Sequence, residues 1–299
     1  MNLDIPAPPA AGHGDTALKA VRGWFRDRGW APFEYQEAAW KAYREGNSGL
    51  IHAPTGIGKT YAAWFGPVME WLAEPPRPAQ NGGHSAPSLR VLWITPLRAL
   101  AADIRRALAE AVQDLGLSWT IECRTGDTAA SVRNRQKKRL PTAFITTPES
   151  LHLLLSYPGA RKRFSGLCAV VVDEWHELIG SKRGVLAELA LARLRTQQPG
   201  VRIWGLSATL SNTETALQAL LGDSAAEGRL IHGLTPKNMV IESILPEKME
   251  RFPWAGHLGL KLLAPVLARI SAADSTLVFT NTRSQCEIWF QAIREARPD

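Results

Sequence analysis

The sequence predicts an α/β protein built on a mostly parallel sheet, and three observations carry that prediction. Short apolar runs alternate with helical patterns from Leu50 to Leu206, as in a sheet whose strands are covered on both faces. The segment Ala53-Pro54-Thr55-Gly56-Ile57-Gly58-Lys59-Thr60 stands between a strand pattern and a helix pattern, where a phosphate-binding loop belongs. Two carboxylates, Asp173 and Glu174, close the apolar run Ala169-Val170-Val171-Val172.

The elements follow in order. Residues 1–14 are rich in Pro, Ala and Gly, and a flexible amino-terminal segment is expected over 1–19. Leu18, Val21 and Phe25 recur at spacings of three and four, which predicts a helix, and a second is expected from Phe33 to Tyr43. Leu50 to Ala53 is a strand, Pro54 to Gly58 a loop, and Lys59 to Leu72 a helix. Prolines and glycines mark Glu74 to Pro87 as a loop. Strand patterns then cover Arg90 to Thr95, Trp119 to Arg124, Ala143 to Thr147, Cys168 to Val172 and Val201 to Leu206. Helical patterns cover Leu97 to Leu115, Ser150 to Ser156 and Gly184 to Arg195. Beyond Leu220 the pattern changes, and Pro236, Pro246 and Pro253 punctuate a mixed stretch. A helix from Leu258 to Ile270, a strand from Leu277 to Thr280 and a helix from Ser284 to Arg294 come last. The expected organisation is a first domain over 20–230, a linker over 231–255, and the incomplete start of a second α/β domain over 256–299.

Composition narrows the function classes. At 45% hydrophobic and 21% charged residues, the chain can bury a core, which excludes whole-chain disorder and fibre. A net charge of +7 suits a polyanionic partner. The three cysteines, Cys123, Cys168 and Cys286, form no CxxC pair, which argues against a disulfide framework or a thiolate zinc site and for a reducing compartment. No apolar run approaches about 20 residues, and the amino end lacks a basic-then-apolar leader pattern. A cytoplasmic protein without membrane contact is expected.

The motifs carry specific chemistry. Backbone N–H groups of a glycine-rich loop at a helix start wrap a phosphate chain; Lys59 supplies a point charge and the Thr60 hydroxyl an Mg²⁺ ligand. Gly56 and Gly58 allow the turn. Two adjacent carboxylates at a buried strand end call for a cation: Asp173 would hold Mg²⁺ and Glu174 would orient and deprotonate an attacking water. His176 lies within reach of Ser207 or Thr209 in the segment Ser207-Ala208-Thr209, though a core histidine and a helix-capping hydroxyl are the ordinary alternatives.

These residues resemble, in order, the motifs of superfamily 2 DEAD/DEAH-type helicases, and within them the Lhr-like group and the bacterial ligase-associated DEXH-box helicases. Phe33 and Gln36 resemble the adenine-side element, and Ala53 to Thr60, with Thr55 inside it, the phosphate loop. Thr95-Pro96-Leu97-Arg98, Thr125-Gly126-Asp127-Thr128 and Thr147-Pro148-Glu149-Ser150 resemble nucleic-acid contact elements. Asp173-Glu174-Trp175-His176, extended through Gly180-Ser181-Lys182-Arg183-Gly184, is similar to the Lhr-like form of the acidic motif, and Ser207-Ala208-Thr209 to the coupling motif. Phe279 to Ser284 resembles the start of the second motor domain. The resemblance implies a RecA-like motor domain followed by the truncated start of another. It further implies ATP and Mg²⁺ as ligands, 3′-to-5′ movement on single-stranded DNA, duplex unwinding, and repair work beside a nuclease and a ligase in bacteria. Family members are much longer, so an amino-terminal fragment without the arginine-bearing motif is expected, one that binds ATP without unwinding.

Thr95, Pro96, Arg98, Thr125, Thr147 and Ser150 are the candidate strand contacts, with Arg98 the strongest electrostatic one; contacts of this kind read backbone rather than bases. The basic runs Arg133 to Arg139 and Arg161 to Arg163 are either solvated surface or further contacts. Two other readings stand: a helicase or remodeller acting on RNA or an RNA–DNA hybrid, and a nucleic-acid-binding module without effective turnover. A nucleotide kinase would have no use for the elements at Thr95 and Ser207.

Overall fold

The computed structural model describes residues 11–73, 88–233, 240–245 and 258–297. The expected loop from Glu74 to Pro87 and the prolines at 236, 246 and 253 lie outside them. The described residues fall into two compact units, within 1–235 and 236–299.

The first unit runs α1 (Ala11–Arg26), α2 (Glu34–Arg44), β1 (Gly49–His52), α3 (Lys59–Ala73), β2 (Val91–Ile94), α4 (Arg98–Asp114), β3 (Ile121–Arg124), α5 (Ala130–Lys138), β4 (Ala143–Thr146), α6 (Pro148–Ser156), α7 (Ala160–Arg163), β5 (Ala169–Val172), α8 (Trp175–Leu178), α9 (Lys182–Gln197), β6 (Arg202–Ser207), α10 (Thr213–Leu221) and β7 (Arg229–His232). The seven strands form one sheet in the order β3-β4-β2-β5-β6-β1-β7, and every pairing is parallel.

Alternation along each strand builds the two faces. Val91 and Trp93 point into one core with Ile51, Val171 and Trp204, beneath α1 to α4. Leu92 and Ile94 point into the other with Phe144, Val170 and Val172, beneath α6, α9 and α10. Trp40, Trp64, Trp93, Trp175 and Trp204 are among the largest fully buried side chains. Trp24 and Phe25 on α1 meet Tyr61 and Phe65 on α3 edge to face or tilted, geometry that aromatic quadrupoles favour. Trp30 is half exposed at the rim of that group.

Three expectations change. The flexible segment over 1–19 is too long: α1 is formed from Ala11, and Ala17 and Val21 are buried against the core. The boundary between first domain and linker at 230/231 falls inside β7, whose pairing with β1 from Gly49↔Arg229 to His52↔His232 makes it part of the sheet. Its alternation is muted because it is an edge strand with one buried residue, Ile231. The expected strand Leu277 to Thr280 is irregular, with Leu277 and Phe279 above 80% exposed. A strand needs a neighbour for its backbone N–H and C=O groups, and no strand occurs among the described residues of the second unit. Its described residues form a 3₁₀ turn at Leu258–Leu262, α11 (Leu263–Ser271) and α12 (Arg283–Ala296), the last capped by the Thr282 hydroxyl accepting from Gln285 N–H at 3.2 Å.

Candidate functional site

A parallel sheet sends all its strands to one edge, and the loops at the carboxyl ends of the strands meet there. The sequence-predicted residues divide along that edge by strand order. Lys59 follows β1 across its loop, Asp173 follows β5 and Ser207 ends β6, three adjacent strands, while Thr95, Thr125 and Thr147 follow β2, β3 and β4.

The phosphate loop joins β1 to α3. Gly56 and Gly58 have φ of +82° and +81°, a left-handed conformation costly for any residue with a Cβ. At Gly58 a Cβ would also stand 2.7 Å from Gln36 Nε2. Gln36 is buried and donates from that nitrogen to Gly58 O at 2.9 Å, while its Oε1 accepts from Phe33 N–H at 2.9 Å. Gln36 thus ties the start of α2 to the phosphate loop. The Tyr35 hydroxyl adds a hydrogen bond to Ile57 O that the sequence reading missed. Phe33 remains partly exposed and stacks on Tyr35 at 6.0 Å between ring centroids. Thr55 is exposed and Thr60 half-buried on the first turn of α3.

Lys59 is 8% exposed, and its Nζ donates to Ala53 O at 2.8 Å across the loop it closes. Burial lowers its pKa, against the raising pull of Glu174 and Asp173. A buried ammonium folded back on its own loop, with carboxylates near enough to be felt, is poised for an anion with several oxygens.

Asp173 directly follows β5 and is 8% exposed. Burial first, then the neighbouring Glu174, pushes its carboxyl up to about 6. Its Oδ1 accepts from Glu174 N–H at 3.0 Å, and Trp93 Nε1 points at its Oδ2 from β2 at 3.5 Å; that indole was not foreseen. Glu174 has φ +44°, the one non-glycine residue with positive φ among the described residues. Such strain persists where surrounding structure imposes it. Its Oε2 is buried and lies 3.4 Å from His176 Nδ1, misaligned for a hydrogen bond, and no hydrogen bond reaches it among the described residues. The same Nδ1 shares a hydrogen bond with Ser207 Oγ at 3.1 Å. Ser207 also accepts, through its backbone oxygen, from Ala53 N–H at 3.0 Å. Phosphate loop, acidic turn and β6 are therefore linked residue to residue. Thr209 stands exposed in the loop after β6 and is not the His176 partner.

The orphaned Glu174 oxygen, the costly Asp173 carboxylate and the Thr60 hydroxyl on the first turn of α3 are an all-oxygen set of the kind that suits Mg²⁺. Among the described residues no group of three or more His, Cys, Asp and Glu could hold a metal.

In the other half of the edge, Thr95 is fully buried, its N–H donating to Thr146 O at 2.9 Å. Thr147 is buried as the N-cap of α6, its hydroxyl accepting from Ser150 N–H at 3.5 Å. Pro96 is buried; Thr125 and Ser150 are half-buried. Arg98 is exposed at the start of α4, 3.3 Å from Asp127 Oδ1. That carboxylate, within the motif but unremarked in the sequence, occupies the guanidinium expected to meet a strand. The basic runs are partly engaged as well. Arg135 pairs with Glu122 at 2.8 Å, Lys137 lies over the Tyr157 ring, and Arg163 donates to Pro158 O at 2.9 Å.

The sheet and site together define a RecA-type phosphate-loop motor domain. A family model described as DEAD/DEAH box helicase matches residues 33–217, and the chain belongs to that family. It is 33% identical over 291 residues to the Lhr helicase/probable uracil glycosylase of Mycolicibacterium smegmatis, with 89% of this chain and 18% of that protein covered. It is 34% identical over 280 residues to the ATP-dependent helicase Lhr-Core of Methanothermobacter thermautotrophicus, with 89% and 32% covered. The structure of the Mycobacterium smegmatis helicase Lhr bound to ssDNA and AMP-PNP superposes with a TM-score of 0.71 at 27% identity, over 96% of this chain and 36% of that one. The chain spans about a third or less of the length of these relatives. Among the described residues no helix is long and apolar enough to cross a membrane.

Proposed function

We propose that this chain is the ATP-binding motor of a DNA helicase, coupling ATP hydrolysis to 3′-to-5′ movement on single-stranded DNA and to duplex unwinding. One observation carries the reading: phosphate loop, acidic turn and β6 are chained by Lys59, Glu174, His176 and Ser207, beside a second set of backbone-contact candidates on the neighbouring strands. Gln36 and Phe33 flank the base of the nucleotide; Thr55, Gly56, Gly58 and Lys59 hold its phosphates. Thr60 and Asp173 would hold Mg²⁺, which would supply neutralisation of the charge on the phosphate oxygens. Glu174, with a free oxygen, takes the proton of the attacking water. His176 and Ser207 convey the state of that site to β6. On the other strands Thr95, Pro96, Arg98, Thr125, Thr147 and Ser150 hold the backbone of the strand. The likeness to a helicase bound to ssDNA and AMP-PNP supports both ligands here. The first motor domain is the unit within 1–235, and the second begins within 236–299. A bacterial, cytoplasmic repair role beside a nuclease and a ligase follows from the resemblance of the acidic motif.

The test is equilibrium titration with a fluorescent ATP analogue and with matched DNA and RNA single strands. Lys59→Ala is expected to remove most nucleotide affinity while the fold remains, and DNA is expected to bind at least as tightly as RNA. Unchanged affinity in the variant would defeat the phosphate-loop assignment, and a strong preference for RNA would favour an RNA helicase.

A further inference from the structure

The extension after the acidic motif, Gly180 to Gly184, has no part in the chemistry above, yet it is tightly built. Ser181 caps α9, its hydroxyl accepting from Gly184 N–H at 3.1 Å. A Cβ at Gly184 would stand 2.0 Å from Leu178 O, so only glycine lets α8 and α9 approach this closely. Arg183, the second residue of α9, therefore stands on a tightly packed turn that follows the acidic motif in the chain. Its Nη1 donates to Pro96 O at 2.7 Å, and its Nη2 to Glu149 Oε2 at 3.2 Å, with Nε on the other Glu149 oxygen. Pro96 opens the loop after β2, and Glu149 is the second residue of α6 after β4. One guanidinium thus joins the segments that follow three adjacent strands.

We propose that Arg183 is a positioning residue for nucleic-acid binding: it fixes the β2 and β4 ends that grip the strand while touching no strand itself. The proposal rests on the nucleic-acid reading above. The planar fork matches a carboxylate with two parallel bonds and leaves a further N–H for the carbonyl, which an ammonium cannot reproduce. Burial opposes ionisation of Glu149, yet the hydrogen bonds from Arg183 keep its carboxyl below the usual range. Both side chains are more than a third exposed, so the pair adds little to global stability. Its effect is on where the two strand ends sit.

The test measures affinity for labelled single-stranded DNA over a salt series in the wild-type chain, Arg183→Ala, Arg183→Lys, Glu149→Ala and the double Ala variant. Nucleotide affinity and thermal midpoint are followed alongside. Each single Ala variant is expected to weaken DNA binding about tenfold, and the double variant no further, as for partners in one network. Lysine is expected not to rescue, and nucleotide affinity to stay level. Glu149→Ala is the sharpest arm, because removing a negative charge should by charge alone tighten binding to a polyanion. Tighter or unchanged binding there overturns the proposal. So does a salt slope reduced by about 0.7 in Arg183→Ala, the mark of a lost direct phosphate contact on a single strand. A wild-type chain that binds no single strand defeats the underlying reading before any variant is made.

Discussion

Asp173 pays for its place at the strand end in a way that pH exposes. Folding lifts its pKa from 3.8 to about 6. Below the lower value the carboxyl is protonated in both states and its contribution to stability is full. That contribution is lost as pH rises from 3.8 to about 6, where the unfolded chain has released its proton and the buried carboxyl still holds it. Asp173→Asn should therefore stabilise the ligand-free chain by about 3 kcal/mol near pH 8 and by almost nothing near pH 3. Thermal unfolding at both pH values checks this; equal shifts at the two would show that burial is not the cause. The Arg98–Asp127 pair sets a second expectation at this scale. Asp127→Ala should tighten single-strand binding by freeing the guanidinium, and Arg98→Ala should lower the log–log salt slope by roughly 0.7. A salt series on both variants decides it, and an unaltered slope would place Arg98 off the strand.

At the scale of elements, the contact between α8 and α9 is the tightest joint near the site. Gly184→Ala forces a methyl group into the Leu178 carbonyl, and overpacking of this kind costs about 1–3 kcal/mol. A lower thermal midpoint is expected, together with weaker DNA binding as Arg183 shifts; a variant as stable as wild type would mean that the helices can part freely. The opposite end of the sheet is held differently. Arg202 on β6 donates to Glu70 on α3 at 2.8 Å and to the Tyr43 hydroxyl on α2 at 3.1 Å, and that hydroxyl donates to Glu70 at 3.0 Å. The network fastens the two helices that carry Gln36 and Lys59 without reaching the phosphate loop.

At the scale of the whole molecule, the seven strands among the described residues lie in the first unit, and the described residues of the second hold helices and irregular segments but no strand. Unwinding requires two domains that open and close around the nucleotide, and an arginine brought across such a cleft is worth about 10³–10⁵ in rate in related phosphoryl-transfer enzymes. The polypeptide of residues 1–299 by itself is expected to bind nucleotide, hydrolyse ATP feebly and unwind nothing. Steady-state hydrolysis with and without single-stranded DNA, beside a duplex-unwinding assay, checks this. ATP-dependent unwinding by the purified chain would overturn it.

Local sequence determined what depends on local chemistry. The apolar runs at Val91 to Ile94 and Ala169 to Val172 became strands because their alternation fills both cores. Lys59, Asp173 and Glu174 were legible because charged side chains beside buried strands have few roles. Tertiary structure decided what depends on neighbours. Leu277 to Thr280 has the composition of a strand but no partner for its backbone among the described residues. Arg229 to His232 has a weak pattern, yet it pairs because β1 offers an open edge. Tyr35, Trp93, Asp127 and Arg183 gained their contacts from segments up to 87 residues away. Spacing along the chain encodes periodicity, but only the order of strands in the sheet determines which loops meet.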